Sequence, residues 1–432
     1  MSSHPSSSPA AAATPGSAPA PVPFTSYQRF AVGLLTLLQF AVILDFMIMS
    51  PLGAVIMPAL SMSSAQFGAV VSAYAFSAGL SGLLTAGFAD RYDRKKLLLF
   101  FYVGFLLGTL WCGLATSFES LLLARVVTGL FGGVIGSIVM AIVADLFQPA
   151  QRGRVMGLLQ GGFAASQVLG LPFAIFLASH FDWHAPFLAL VIFGVLGGLV
   201  IAFNMKPVDA HLNAPGTGQH SPFGHLLQTV KKPRHQLAFA LTALLTTGGF
   251  MLMPFASAFV VHNVGIPLTE LPVVYLVTGI CTLVFSPLIG RMVDRVGAMR
   301  VFYTGCAVTV ATVLYYTRLG SSPLWLLVLV NVVMFVGIFS RMIPAQATLA
   351  GVPVPEQRGS FNAINSALQQ LAGGLASLVA GHLVHIGPDG HINDFPVVGY
   401  VVCASTLIAA VLMRALVRGT PAATAAPVSP AR

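Results

Sequence analysis

Charge is what this sequence has least of. Asp, Glu, Lys and Arg make up 8% of its 432 residues, against about 25% in an average soluble domain, while 56% are hydrophobic. So few charges cannot cover a water-facing surface, which excludes a soluble fold and places the chain in lipid. Cysteine is also scarce: Cys112, Cys281, Cys306 and Cys403 all fall in apolar segments without paired spacing. That excludes a disulfide framework and leaves free thiols acting as small hydrophobes. The chain has no glycine-rich phosphate loop, nucleophile triad or His-Glu zinc helix. An ATP-driven pump would lack its motor here, and neither an enzyme site nor a cofactor is expected. His180, Asp182 and His184, and His382 with His385, fall short of a ligand set and read as interfacial polar residues rather than a metal site.

What the chain has in abundance is long apolar runs. A spanning helix needs about 20 mostly apolar residues, and twelve segments qualify: 28–60, 66–89, 97–116, 121–146, 155–179, 186–205, 236–263, 271–293, 301–319, 324–352, 360–384 and 396–417. They are continuously apolar instead of alternating, so they predict helices and not barrel strands. The expected fold class is all-α and integral to the membrane. Residues 1–26, rich in Ser, Pro and Ala and without the basic start and apolar stretch of a signal peptide, read as a disordered tail. Residues 27–205 hold the first six helices, 206–235 a Pro- and Gly-bearing linker with a short amphipathic piece near 223–230, 236–418 the second six, and 419–432 a second tail.

Assigning alternate connections and both termini to one side gathers 18 of the 21 Lys and Arg there. Only Arg318 falls opposite, and Arg125 and Arg341 lie within segments. By the positive-inside rule both termini are cytoplasmic, in a multi-pass protein of a cell membrane, the bacterial inner membrane being the expected one. The net charge of +9 then reflects basic loops at anionic headgroups and calls for no nucleic acid. The expected partners are the bilayer and a small-molecule substrate, with the chain acting as a monomer.

A cationic turn, Gly87-Phe88-Ala89-Asp90-Arg91-Tyr92-Asp93-Arg94-Lys95-Lys96, returns as Gly290-Arg291-Met292-Val293-Asp294-Arg295-Val296-Gly297. The two Asp-Arg pairs are 294 − 90 = 204 residues apart. Pro149-Ala150-Gln151-Arg152-Gly153 likewise returns as Pro355-Glu356-Gln357-Arg358-Gly359, an offset of 358 − 152 = 206. Two duplicated six-helix halves follow, and a parallel repeat of this kind places a binding site at mid-membrane between halves that rock to expose it to each side in turn.

On these motifs the chain, from about Tyr27 to Arg418, resembles the major facilitator superfamily of transporters. The first turn departs from the family's loop signature at Ala86 and Asp93, where glycine is usual; the second keeps Gly290 and Gly297. Arg125 to Gly129 resembles the Arg-x-x-x-Gly pattern of proton-coupled members. Gly161, Gly162, Gly170 and Pro172 in the fifth segment resemble an antiporter signature, although Leu171 separates Gly170 from Pro172. With Trp183 to Phe187, this looks like the bacterial drug, sugar and nucleoside efflux branch. The resemblance implies that Asp90, at the end of the second segment, faces the start of the eleventh near Ser360, with Arg91, Arg94 and Asp145 close by. Asp294 and Arg295 would form a weaker counterpart near Gly153 and Arg152. These contacts would hold an outward-open state and break on switching.

The ionisable residues inside the membrane carry the sharpest expectation. Asp45 is the only carboxylate well inside a predicted span, and such residues are costly and commonly mark ion pathways. From an entry near Ala31 it lies about 21 Å into its helix, and Arg125 lies about 24 Å from the same membrane face, so the two share a depth. The resemblance implies that both face one cavity. A proton at Asp45 and a substrate would then compete, which is antiport driven by an ion gradient, most simply of protons. The 206-residue offset carries Arg125 onto Asn331, so the coupling chemistry is expected in the first half. Gln39, Gln167, Asn331 and Asn365 are candidate substrate hydrogen-bonders, and Arg341 is a candidate cavity residue or interfacial anchor. Gly129, Gly132, Gly133 and Gly136 with Gly157 and Gly161 are expected to form a smooth packing stripe, and Pro172 to bend the fifth helix. Import by symport or uniport, and a non-transporting sensor or membrane enzyme, are the competing readings.

Overall fold

The computed structural model describes residues 23–85, 92–209, 212, 228–354 and 357–418. Asp90, Arg91, Pro355, Glu356, residues 1–22 and 419–432 and most of the linker lie outside them, whereas residues 23–26, expected in the disordered tail, are ordered as the start and cap of α1. In the first half the helices are α1 Ser26–Ile48, α2 Gly53–Ala59, α3 Ser64–Thr85, α4 Arg94–Cys112, α5 Phe118–Leu146, α6 Pro149–Ala165, α7 Leu171–His180 and α8 Ala185–Asn204. The second half holds α9 Pro233–Phe259, α10 Leu271–Val296, α11 Ala298–Tyr316, α12 Leu324–Ala350, α13 Arg358–Leu383 and α14 Phe395–Arg418. Eleven helical stretches among the described residues are long and apolar enough to cross a membrane. The twelfth, α13, carries Asn362, Asn365, Gln369 and Gln370 and owes its place to packing rather than hydropathy. Twelve crossings put Ser26, at the start of α1, and Arg418, at the end of α14, on one side, hereafter the terminal side.

Polar side chains set where helices begin. Thr25 Oγ1 accepts from Gln28 N at 3.1 Å while Gln28 Oε1 accepts from Thr25 N at 3.0 Å, a capping box that starts α1. Asp93 Oδ1 caps α4 through Lys95 N at 2.8 Å and also accepts from Val208 N at 3.1 Å, tying the linker's first residues back to the first half. The Asp93 departure from glycine therefore has a structural use.

Two predicted segments are interrupted. Segment 28–60 breaks at Met49–Leu52, because Pro51 has no N–H and a fixed φ; α2 resumes beyond it. The fifth crossing is a continuous run of α6, a π-helical turn Ser166–Gly170 and α7. Pro172 cannot donate to the carbonyl of residue 168, and the wider turn accommodates that missing bond.

The glycine stripe divides in two. A Cβ at Gly129 would stand 2.2 Å from Ser77 Oγ and 2.4 Å from Tyr74 O, and one at Gly133 would stand 2.4 Å from Ala78 Cα, so α3 and α5 meet backbone to backbone. At Gly136, Gly157 and Gly161 nothing lies within 4 Å, and these positions do not pack. Gly129→Ala is accordingly expected to cost about 1–3 kcal/mol, and Gly136→Ala to be neutral or slightly stabilising. Thermal unfolding of both variants in one detergent checks the contrast.

The halves meet on the side opposite the termini. Ser257 Oγ donates to Ser50 O at 3.1 Å, Ser64 Oγ to Val384 O at 2.5 Å, and a Cβ at Gly53 would reach Pro254 O at 3.1 Å. Along α3 and α13, small residues interlock: Gly68 against Ser377 and Gly381, and Gly79 against Ala367. A hairpin, β1 His385–Ile386 with β2 Ile392–Asn393, covers this end and is held by Asn263 through both backbone groups of Ile392 at 2.9 Å. On the terminal side the arrangement differs. The π turn touches α10, with Gly279 against Gln167 and Val168, but α6 buries only Gln151, Val155, Leu159 and Gly162, and nothing described lies within 4 Å of a Cβ at Gly290. The bundle is sealed at its far end and open between α6 and the second half of α10.

Candidate functional site

Asp45 and Arg125 are joined. The Arg125 Nη1 atom lies 2.9 Å from Asp45 Oδ2 and 3.4 Å from the Asp45 carbonyl oxygen, and the two side chains are 0% and 1% exposed. The estimate of equal depth therefore holds. Thr109 Oγ1, on α4, stands 3.0 Å from Asp45 Oδ1, and the Arg125 guanidinium lies 4.4 Å from the centroid of Tyr74 on α3. Four helices thus converge on one carboxylate, and charge, hydrogen bond and aromatic face together offset the desolvation of the pair. Arg125 Nε is left without a partner.

A cavity of about 200 Å³ lies next to this pair, but neither Asp45 nor Arg125 lines it. Met47, two residues on from Asp45, does. The expectation that both charges face a common cavity is therefore not met in this state: they are packed within the first half. The lining comes mainly from α9, α10 and α12, with Gln167 and Leu171 from the fifth crossing. Its polar points are Gln167, Ser257, Tyr275, Thr278, Thr282, Tyr316 and Asn331 among apolar side chains. Gln167 belongs to the π turn, which rotates it toward α10. Asn331 occupies the repeat position of Arg125 and donates Nδ2 to Leu327 O at 3.1 Å.

The remaining candidates lie elsewhere. Asn365 accepts from Thr242 Oγ1 at 2.7 Å, bonding α13 to α9, and Gln39 is half-buried on α1; neither lines the cavity. Arg341 is buried in the second half, outside the lining, with Nη1 2.7 Å from Thr406 Oγ1. Gly170 packs against Leu44, where a Cβ would fall 2.8 Å away, and Pro172 follows it at the start of α7. Among the charges at the membrane edge, Arg94 Nε pairs with Asp145 Oδ2 at 2.5 Å. Arg152 donates to Phe147 O at 3.1 Å and Ala144 O at 2.7 Å, neutralising the end of α5. Asp294 and Arg295 are exposed and make no ion pair among the described residues, and nothing described meets a Cβ at Gly153, so the second-half counterpart of the edge contact is open. The Asp90 and Arg91 contacts fall outside the described residues.

Sequence reasoning missed the two tyrosines. Tyr275 and Tyr316 read like any membrane aromatics, and only their wall positions separate them from lipid-facing ones. The far-end seam was missed because Gly68 and Gly381 find each other across 313 residues of chain, and neither carries a local sign of its partner.

Twelve crossings around a cavity, closed at one end and parted at the other, have the architecture of a membrane transporter. The profile of the Major Facilitator Superfamily matches residues 35–251 and 238–431, and the chain belongs to that superfamily. It is 27% identical over 347 residues to the uncharacterized MFS-type transporter YceJ of Bacillus subtilis, covering 80% of this chain and 87% of that one. It is 26% identical over 272 residues to a probable sugar efflux transporter of Helicobacter pylori, covering 62% and 67%. The crystal structure of a bacterial homologue of the human lysosomal transporter Spinster, inward-facing and occupied, superposes with a TM-score of 0.71 at 17% identity, over 92% of this chain and 98% of that one.

Proposed function

We propose that the protein exports small, partly apolar organic solutes in exchange for protons, with Asp45 as the proton acceptor and Arg125 as its counter-charge. The observation that carries this reading is the position on α1 of Asp45, the carboxylate of the buried pair. Asp45 sits just before the Met49–Leu52 break, which supplies Ser50 to the far-end seal, and α2 beyond it supplies Gly53. Protonating Asp45 removes the charge that holds Arg125, frees α1 to shift against α5, and loosens the seal at the break. Loss of the proton restores it. Since Met47 lines the cavity, a bound solute presses on the same helix. Proton and solute then act on one hinge from two sides, in place of competing for one space.

Orientation is assigned from the cations. With 18 of 21 Lys and Arg on the terminal side, that side is assigned to the cytoplasm, the chain to the inner membrane, and the open flank to an inward-facing state. Gln167 and Asn331 supply hydrogen bonds to solute. Arg94, Asp145 and Arg152 form the first half's edge cluster, and Asp294 with Arg295 would re-engage when this flank closes. The efflux name of the Helicobacter relative supports export.

Purified protein in liposomes tests the assignment. An imposed proton gradient, acid on the side opposite the termini, is expected to drive solute from a drug and metabolite panel toward that side, with protons moving the other way. Solute and protons moving together would replace antiport with symport. Flux indifferent to collapse of the gradient would remove coupling altogether.

A further inference from the structure

Among the described residues two arginines are fully buried, and only one of them has a counter-charge. Arg125 meets Asp45, whereas Arg341, 2% exposed, has no carboxylate within 4.0 Å among the described residues. Its Nη1 lies 2.7 Å from Thr406 Oγ1, a neutral acceptor whose own proton goes to Val402 O at 2.8 Å, and its Nε has no partner. A guanidinium does not discharge by losing its proton in a protein, and burying it without a counter-ion costs more than one hydroxyl returns. This side chain is built to receive negative charge.

Its surroundings indicate from where. Ile338 and Phe339, just before Arg341 on α12, line the cavity, as does Gly249 on α9. Next to Gly249, Gly248 faces the guanidinium: a Cβ there would sit 3.5 Å from Nη2, and nothing lies within 4 Å of a Cβ at Gly249. Two side-chain-free positions therefore separate the arginine from the cavity. Apolar walls with tyrosines suit a hydrocarbon or aromatic body, and a planar guanidinium suits a carboxylate or phosphate.

Resting on the transport reading above, we propose that Arg341 binds an anionic group, and that the solutes carried are amphiphilic organic anions whose apolar part fills the cavity while the anionic end reaches past Gly248. A free inorganic anion offers the same chemistry, and the test separates the two sources. Full-length protein in lipid nanodiscs is unfolded thermally with benzoate and hexanoate against benzamide and hexanamide. Chloride is compared with a bulky sulfonate at equal ionic strength. The carboxylates are expected to raise the midpoint by at least about 2 °C over the matched amides. Arg341→Gln should abolish the difference and Arg341→Lys should keep part of it. Gly248→Val, which leaves the arginine in place and fills the gap, should abolish it too. An effect of chloride alone that is lost in R341Q assigns the site to an inorganic anion. Equal shifts for acids and amides with no chloride effect, or an anion effect that survives in both R341Q and G248V, overturn the proposal. No gradient is applied, so failure of proton coupling would leave this result intact, and failure here would leave proton coupling intact.

Discussion

Asp45→Asn is expected to abolish proton-driven flux, to below about 1% of the unmodified protein, while leaving downhill exchange of solute measurable. The substitution keeps the shape of the side chain and its reach to Thr109 and Arg125, 3.0 and 2.9 Å away, and removes only the charge that responds to protons. It also leaves Arg125 buried without a counter-charge, and breaking a buried pair from one side costs about 3–5 kcal/mol. Reduced stability alone would thus mimic reduced transport. The double variant Asp45→Asn with Arg125→Gln separates the effects: both charges are gone, so stability should recover most of the loss while gradient-driven flux does not return. Thermal unfolding and flux on the same four preparations form a double-mutant cycle with two readouts. Gradient-driven flux recovered together with stability would reduce the pair to a packing lock. Thr109→Val provides a graded case, with a smaller loss of stability because the ion pair persists.

That pair is also the clearest case of a site legible in sequence. One carboxylate in an apolar run is expensive, and counting 1.5 Å per residue from opposite ends brought Asp45 and Arg125 to one depth. The segments were legible for the same reason, since lipid demands long apolar helices whatever their packing. What counting residues cannot supply is azimuth. Depth says nothing of which way a side chain faces around its helix, and Asp45 turns into the four-helix cluster while Met47 turns to the cavity. The same blindness let Asn365 and Gln39 stand beside Gln167 and Asn331 as equals. It also ran Gly129 and Gly136 together into one stripe, although a Cβ at the first would meet α3 and one at the second would meet nothing within 4 Å. The break at Pro51 was masked by the apolar residues around it, because hydropathy continues where hydrogen bonding stops.

The second large effect is expected at the far-end seam. Gly68→Val places a Cβ where the Ser377 carbonyl oxygen lies 2.8 Å away and the Gly381 Cα 3.0 Å away, so α3 and α13 must separate. Neither neighbour can yield by turning a side chain, because both contacts are backbone. Overpacking of this kind costs about 1–3 kcal/mol. Here the cost falls on the sealed state and spares a state in which the two helices have already parted, so it moves the balance between states rather than unfolding either. A bias of that size shifts the population ratio about 5–150-fold. Ser50, 4% exposed and bonded to Ser257 across the halves, is a suitable reporter. In a background with the four native cysteines replaced, a cysteine at Ser50 should react slowly with an impermeant maleimide added on the side opposite the termini. Adding Gly68→Val should raise that rate by at least about tenfold, whereas Gly136→Val, with nothing within 4 Å of its Cβ position, should leave it unchanged. If both variants label alike, the seam is not the gate. If Gly68→Val labels faster and Asp45→Asn does so without it, the proton site and the far-end seal are two ends of one lever, as the break at Met49–Leu52 between them implies.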